Sequence, residues 1–221
     1  NPVLIDINMG CPVSKVVKNH EGSALMKDIK KAYKLTKAVV DASSVPISVK
    51  FRSGFEKNNL NYVEFGKAME SAGTSCITLH PRTRDMFYSG EADWNHIISL
   101  KEAVSIPVIA NGDVFTHKDI EDIRKKTGCF DVMIARGSLG NPWIFSNIIP
   151  TTEQRIKVFK HHMDLQIEYN GEKKGIMEMR KHGAWYFKGL HNSAKLRDMI
   201  FKAETKQDVV NCIESVLEKE I

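Results

Sequence analysis

The sequence predicts an α/β protein whose βα units form part of a (β/α)8 TIM barrel, followed by a small α-helical domain. Three observations carry this: five β-branched runs separated by amphipathic stretches, distinctive polar residues at the end of each run, and purely helical patterning after Pro150. The runs are VLIDIN (3–8), PISVKFR (46–52), CITLH (76–80), PVIAN (107–111) and DVMIAR (131–136). Each reads as a parallel strand buried on both faces. Between them, DIKKAYKLTKAVVDA (28–42) spaces Ile29, Ala32, Leu35, Val39 and Val40 as a helix does, and YVEFGKAMESAG (62–73) ends in a glycine suited to a C-cap. THKDIEDIRKKTG (116–128) opens with Thr116 and Asp119 at capping-box spacing and closes on Gly128.

An open doubly wound sheet and a closed barrel share this rhythm. An open sheet gathers its site at one switch point, whereas a barrel collects residues from every strand. Here Asn8 and Cys11, Lys50 and Arg52, His80 and Arg82, Asn111 to Asp113, and Arg136 and Gly137 stand at the five strand ends, which favours the barrel. After Pro150, the stretches EQRIKVFKHHMDLQIEYN, GIMEMRKHGAWYFKGL, SAKLRDMIFKAE and TKQDVVNCIESVLEKEI read as helices. Thr205 and Asp208 repeat the capping-box spacing, and Val209, Val210, Ile213, Val216 and Leu217 form one apolar face. The expected domains are therefore 1–150 and 151–221, divided near NIIPTTE (147–153).

With 221 residues, 42% of them hydrophobic, the chain can bury a large core, which excludes a disordered protein. No stretch approaches the roughly 18 apolar residues of a membrane span, and no basic segment leads into an apolar signal core, so a soluble, cytoplasmic protein is expected. Cys11, Cys76, Cys129 and Cys212 are scattered without a CxxC pair, which argues against a zinc site or a disulfide framework. The formal net charge of +5 is only mildly basic. Its distribution says more: between Lys173 and Lys202 eight Lys/Arg stand against two acids.

Glycines after the last two strands, in ANGDV (110–114) and ARGSLGNPW (135–143), suit a phosphate site, because a barrel commonly holds phosphate beyond strands seven and eight. That numbering makes the first run strand four, and Arg136 adds charge to the same phosphate. Gly112 and Gly137 serve equally well as tight βα turns. Lys50 at a barrel mouth needs an anionic or electron-rich partner, such as the N1 and O2 edge of a flavin, and His80 offers a ring donor to the same cavity. Cys11 lies between Gly10, expected to supply an unusual backbone angle, and Pro12, which extends its predecessor. Thiols are mostly protonated at neutral pH, so a single cysteine donates a proton as readily as it attacks. Cys76, Cys129 and Cys212 read as inert. In the helical domain Arg180, Lys181 and Lys188 suit an RNA backbone, while Tyr186 and Trp185 suit stacking; for Trp185 a core position is the stronger reading.

Taken together, DINMGCPVSKV, VKFRSG, LHPRTRDMFYSGEADW, VIANGDV, ARGSLGNPWIF and RKHGAWYFKG resemble the tRNA-dihydrouridine synthase family, in particular its bacterial B type. The resemblance runs almost the whole length of the chain. It implies an FMN-binding TIM barrel with a helical tRNA-binding domain, and reduction of selected tRNA uridines to 5,6-dihydrouridine with NADPH as reductant. Cys11 is then the general acid that protonates C5 of uracil while reduced FMN delivers hydride to C6. Lys50 contacts the flavin ring and His80 lies near the flavin or its phosphate. Asn111, Gly112 and Asp113, with Ala135, Arg136 and Gly137, hold the phosphate end. Asn8 hydrogen-bonds the uracil, and Arg52 and Arg82 lie on the substrate side. The resemblance implies a monomer without a metal. Family members begin with three further βα units, so the chain is expected to start just before strand four, and these residues alone are not expected to bind FMN tightly. Two other readings stay open: an FMN barrel oxidoreductase acting on a small dihydroorotate-like molecule, and a non-catalytic tRNA-binding fragment.

Overall fold

The computed structural model describes residues 2–216. Contacts divide the chain into two compact units, Asn1–Ala135 and Arg136–Ile221. In the first, β1 (Ile5–Met9), β2 (Ile47–Glu56), β3 (Asn59–Leu60), β4 (Cys76–Thr83), β5 (Val108–Asn111) and β6 (Val132–Met133) form one sheet. β1, β2, β4, β5 and β6 are neighbours in chain order and every such pair is parallel, while β3 folds back antiparallel on β2. Chain-order parallel neighbours without a reversal are the arrangement of a barrel wall.

The register sorts the side chains onto two faces. Met9, Val49, Phe51, Ile77, Leu79 and Ala110, all 0% exposed, share one face, which carries the helices α3 (Tyr62–Ser71) and α4 (Asn95–Ala103), with α2 (Ile29–Ala42) packed against α3. Packing there is close: the Phe51 and Phe65 rings lie 5.0 Å apart, and a Cβ on Gly66 would come within 2.4 Å of Leu100. The other face is polar. Asn8, Lys50 and Thr78 are register partners, and Arg52 and His80 follow one pleat further on. The expectation of strands buried on both faces fails for β1, whose Ile5, Asp6 and Asn8 are exposed; among the described residues its only strand neighbour is β2.

The helix ends follow the sequence. In α5 (His117–Thr127) Thr116 and Asp119 complete the capping box, and Gly128 closes the helix at φ +66°. Asp28 caps α2 through its side chain, and Gly73 follows α3 at φ +96°. Three features were not anticipated: α1 (Ser14–Lys18), α4, and the β2–β3 hairpin. The hairpin requires Gly54, because a Cβ there would lie 2.2 Å from the Asn59 carbonyl oxygen.

The second unit contains α6 (Thr152–Asn170), α7 (Glu172–Tyr186), α8 (Ser193–Lys202) and α9 (Lys206–Val216). Phe159, Met163, Met179, Leu196, Val209 and Ile213 form its fully buried centre. Thr205 and Asp208 exchange both capping hydrogen bonds at the start of α9, and Val216 is buried on its apolar face, while Leu217 lies outside the described residues. The division falls earlier than Pro150. Residues 136–150 group with the helices because the backbone at Gly140 rests directly on the end of α7: a Cβ there would lie 2.4 Å from the Trp185 carbonyl carbon and the Tyr186 nitrogen. No described helix is long and apolar enough to cross a membrane.

Candidate active site at the strand ends

β1 ends at Met9, and the chain turns at once into Gly10 and Cys11. The Asn8 Oδ1 accepts both the Gly10 and the Cys11 N–H at 3.0 Å, so one amide oxygen draws the turn around itself. Arg52 Nε donates to the Gly10 carbonyl at 2.9 Å. The Cys11 carbonyl accepts the Ser23 N–H at 3.1 Å and the Ser23 hydroxyl at 2.8 Å. Backbone groups on both sides of the half-buried Cys11 are thereby held, leaving side-chain rotation as the main freedom of its thiol. The unusual backbone angle is at Gly22, φ +56°, and not at Gly10 as the sequence suggests. A Cβ on Gly22 would lie 2.9 Å from that of Cys11, so glycine lets the 22–23 loop close beneath the thiol. Burial pushes the thiols of Cys76, Cys129 and Cys212 up, which matches their inert reading.

On the polar face, Lys50 makes no hydrogen bond or ion pair with any described residue. Burial, helped by the charge of Arg52 and opposed by Asp6, pulls its pKa down to about 8. Its register partner Thr78 has a buried hydroxyl oxygen with no hydrogen-bond partner among the described residues. His80 is buried beside Arg52, Lys50 and Arg82, and burial first, then these charges, lowers its pKa to about 3, so the ring is neutral at physiological pH. Arg82 Nη1, which can only donate, lies 3.4 Å from His80 Nε2, which assigns the ring proton to Nδ1. The strand ends thus gather an unpartnered ammonium, an unpartnered hydroxyl and a neutral imidazole.

Both arginines expected on the substrate side are engaged by protein groups. Arg52, 2% exposed, also donates to the carbonyls of Thr83 at 3.0 Å and Phe87 at 2.9 Å, linking the Cys11 turn to the loop after β4. Arg82 forms a bidentate pair with Asp113 at 2.7 and 2.6 Å and donates to the Ser89 and Gly90 carbonyls. The Asp113 carboxylate also accepts the Ala92 N–H at 2.8 Å, so this acid anchors the 84–92 loop. The Asn111 amide donates to the Met133 carbonyl at 2.8 Å and ties β5 to β6. Gly112 is glycine for a structural reason: its φ is +118°, and a Cβ would meet Ala92 at 2.9 Å and Pro81 at 3.0 Å.

Ala135 is exposed at the end of the first unit. In the second, Arg136 is half-buried and Gly137 buried within a short 3-10 turn, Arg136–Ser138. Arg180, expected to face RNA, donates from its Nε and Nη2 to the Ala203 carbonyl at 3.2 and 2.7 Å, closing the end of α8. Lys181 and Lys188 are exposed and make no ion pair with described residues. Tyr186, not Trp185, takes the core position; Trp185 is half-buried, edge-on to His182 at 5.2 Å. Sequence reasoning missed Ser23, Thr78 and Trp94, whose indole donates to the Gly112 carbonyl at 3.0 Å. Among the described residues no three His, Cys, Asp or Glu side chains are grouped to hold a metal ion.

Relatives of the chain were found by sequence comparison. A probable tRNA-dihydrouridine synthase of Rickettsia conorii is 41% identical over 208 residues, covering 89% of this chain and 63% of that protein. Probable tRNA-dihydrouridine synthase 1 of Synechocystis sp. is 38% identical over 215 residues, covering 92% of this chain and 60% of that protein. tRNA-dihydrouridine synthase B of Pasteurella multocida is 36% identical over 205 residues, covering 88% and 62%. The chain therefore spans less than two thirds of the length of these relatives. The family model described as Dihydrouridine synthase (Dus) matches residues 3–221, and the chain belongs to that family.

Proposed function

We propose that this chain carries the thiol and the cofactor-facing strand ends of a flavin-dependent enzyme that reduces selected tRNA uridines to 5,6-dihydrouridine. The observation that carries the reading is the clamped Cys11 turn beside the unpartnered Lys50 ammonium, in a chain whose relatives bear that name. The donors on the polar face fit an electron-rich ring edge. Lys50 and the Thr78 hydroxyl have no partner among the described residues, and a neutral His80 can donate from Nδ1 without adding charge. These three residues would hold FMN, which when bound would supply a hydride to uracil C6, with NADPH as the reductant.

This chain's own residues do the rest. Cys11 donates its thiol proton to C5, and the Asn8 and Ser23 clamps fix the direction from which it arrives. Asn8, whose Oδ1 is engaged by the turn, presents its Nδ2 donors to a uracil carbonyl. Arg52 and Arg82 act as positioning residues for the Cys11 turn and the 84–92 loop. A phosphate beyond β5 and β6 meets backbone N–H groups, since the Asn111 and Asp113 side chains are engaged by protein. The reading includes a closed (β/α)8 barrel, with three earlier βα units, in the complete enzyme. It also includes a helical tRNA-binding domain bearing Lys181 and Lys188, and a cytoplasmic monomer without a metal.

Mass spectrometry of tRNA from cells lacking the complete gene tests this. Dihydrouridine is expected to vanish from discrete tRNA positions and to return when the gene is restored. Unchanged dihydrouridine, together with turnover of a small dihydropyrimidine by the purified protein, would replace the reading with a small-molecule oxidoreductase.

A further inference from the structure

The loop that seats Cys11 continues into a basic cleft for which the chemistry above has no use. From Lys15 to Lys34 the sequence carries six lysines and one histidine against two acids, Glu21 and Asp28. α1, the 3-10 turn Gly22–Lys27 and the start of α2 enclose a cleft of about 320 Å³ lined by Lys18, His20, Lys27 and Lys31, with Asp28 its single acid. That acid is already engaged, its Oδ1 accepting the Lys31 backbone N–H at 2.9 Å as the helix cap. The Lys27 ammonium sits 3.8 Å from the centre of the Phe55 ring, which is not part of the lining. Lys18, His20 and Lys31 are exposed and make no ion pair with any described residue. Four cationic or potentially cationic side chains against a single acid repel one another and favour an anion between them.

The cleft adjoins the thiol. His20 and Ala24, both on its lining, flank the Gly22–Ser23 pair, which packs against Cys11 and hydrogen-bonds its carbonyl. The geometry points to a binding site for the RNA phosphodiester chain beside the uridine presented to Cys11. This rests on the reading that the substrate is a tRNA uridine. A base drawn out of folded RNA brings its flanking phosphates to the mouth of the pocket, where point charges hold the backbone without reading sequence. Lysines and a histidine, with no planar bidentate group among them, suit that task.

The complete protein carrying Lys18→Gln/Lys31→Gln tests the site, with Lys18→Arg/Lys31→Arg as the charge-preserving control. Binding of tRNA is titrated against salt, and lysine acetylation is mapped by mass spectrometry with tRNA, inorganic phosphate or poly-glutamate present. Losing two phosphate contacts is expected to make the slope of log K against log salt shallower by about 1.4–1.8, while the arginine variant keeps the parent slope. tRNA is expected to shield Lys18 and Lys31, and inorganic phosphate at the same phosphate concentration is not. An unchanged slope with unshielded lysines, in a parent that binds tRNA steeply, overturns the cleft and leaves the tRNA reading intact. A parent that binds no tRNA overturns both. Equal shielding by inorganic phosphate makes this a free-phosphate site, and shielding by poly-glutamate alone makes it a site for an acidic protein; either result overturns the proposal.

Discussion

Replacing Lys50 with methionine is expected to stabilise the α/β unit at neutral pH. The ammonium is buried near Arg52 without a hydrogen bond, and its pKa falls from 10.5 to about 8. A depression of about two and a half pH units corresponds to about 3 kcal/mol of penalty on the charged form. A folded-state pKa below the unfolded value means that the native protein binds fewer protons across the interval between them. The penalty is therefore fully present below pH 8, declines as pH rises through the window from about 8 to 10.5, and is absent above it. Methionine keeps an unbranched stem and removes the charge, so Lys50→Met should gain about 1–3 kcal/mol at pH 7 and progressively less above pH 8. Urea unfolding, followed by Trp94 fluorescence in a Trp143→Phe/Trp185→Phe background, measures this at both ends of the window. A variant less stable than its parent at pH 7, or an advantage that does not shrink with pH, would refute the account of an unpartnered, disfavoured ammonium.

His80 is expected to stay neutral well below the usual histidine range, because its pKa is lowered to about 3. Its contribution to stability is full above pH 6.5 and is lost as pH falls towards about 3; nitrogen NMR at pH 5 should show Nε2 unprotonated, and an imidazolium signal there would contradict the assignment. Gly112→Ala must place a Cβ at φ +118° and 2.9 Å from Ala92, so thermal unfolding should reveal a loss of about 2 kcal/mol or more, and a neutral substitution would remove the structural reason given for this glycine.

The helix boundaries were legible because their signals are local. Thr116, Thr205 and Gly128 act through residues three or four positions away, and their roles follow from sequence alone. The turn at Cys11 is local as well, since Asn8 three residues earlier closes it. The partners of the arginines were not legible. A guanidinium at a strand end can reach forward to a ligand or sideways to carbonyls, and only the fold brings Gly10, Thr83 and Phe87 around Arg52. The pairing of Asp113 was hidden likewise, because its partner Arg82 lies 31 residues away. Ser23 was invisible as the seat of Cys11 because its position depends on the left-handed turn at Gly22. The unit boundary was set by Gly140, a glycine that looks like any loop residue until the end of α7 is found against it.

The most direct test of the central claim is single-turnover dihydrouridine formation by the complete protein with Cys11→Ala. The account predicts a fall of about 10²–10⁴ in the rate, the range expected for losing a general acid, with flavin content and tRNA affinity unchanged. A variant that reduces tRNA uridines at the parent rate would show that the clamped thiol is not the proton donor.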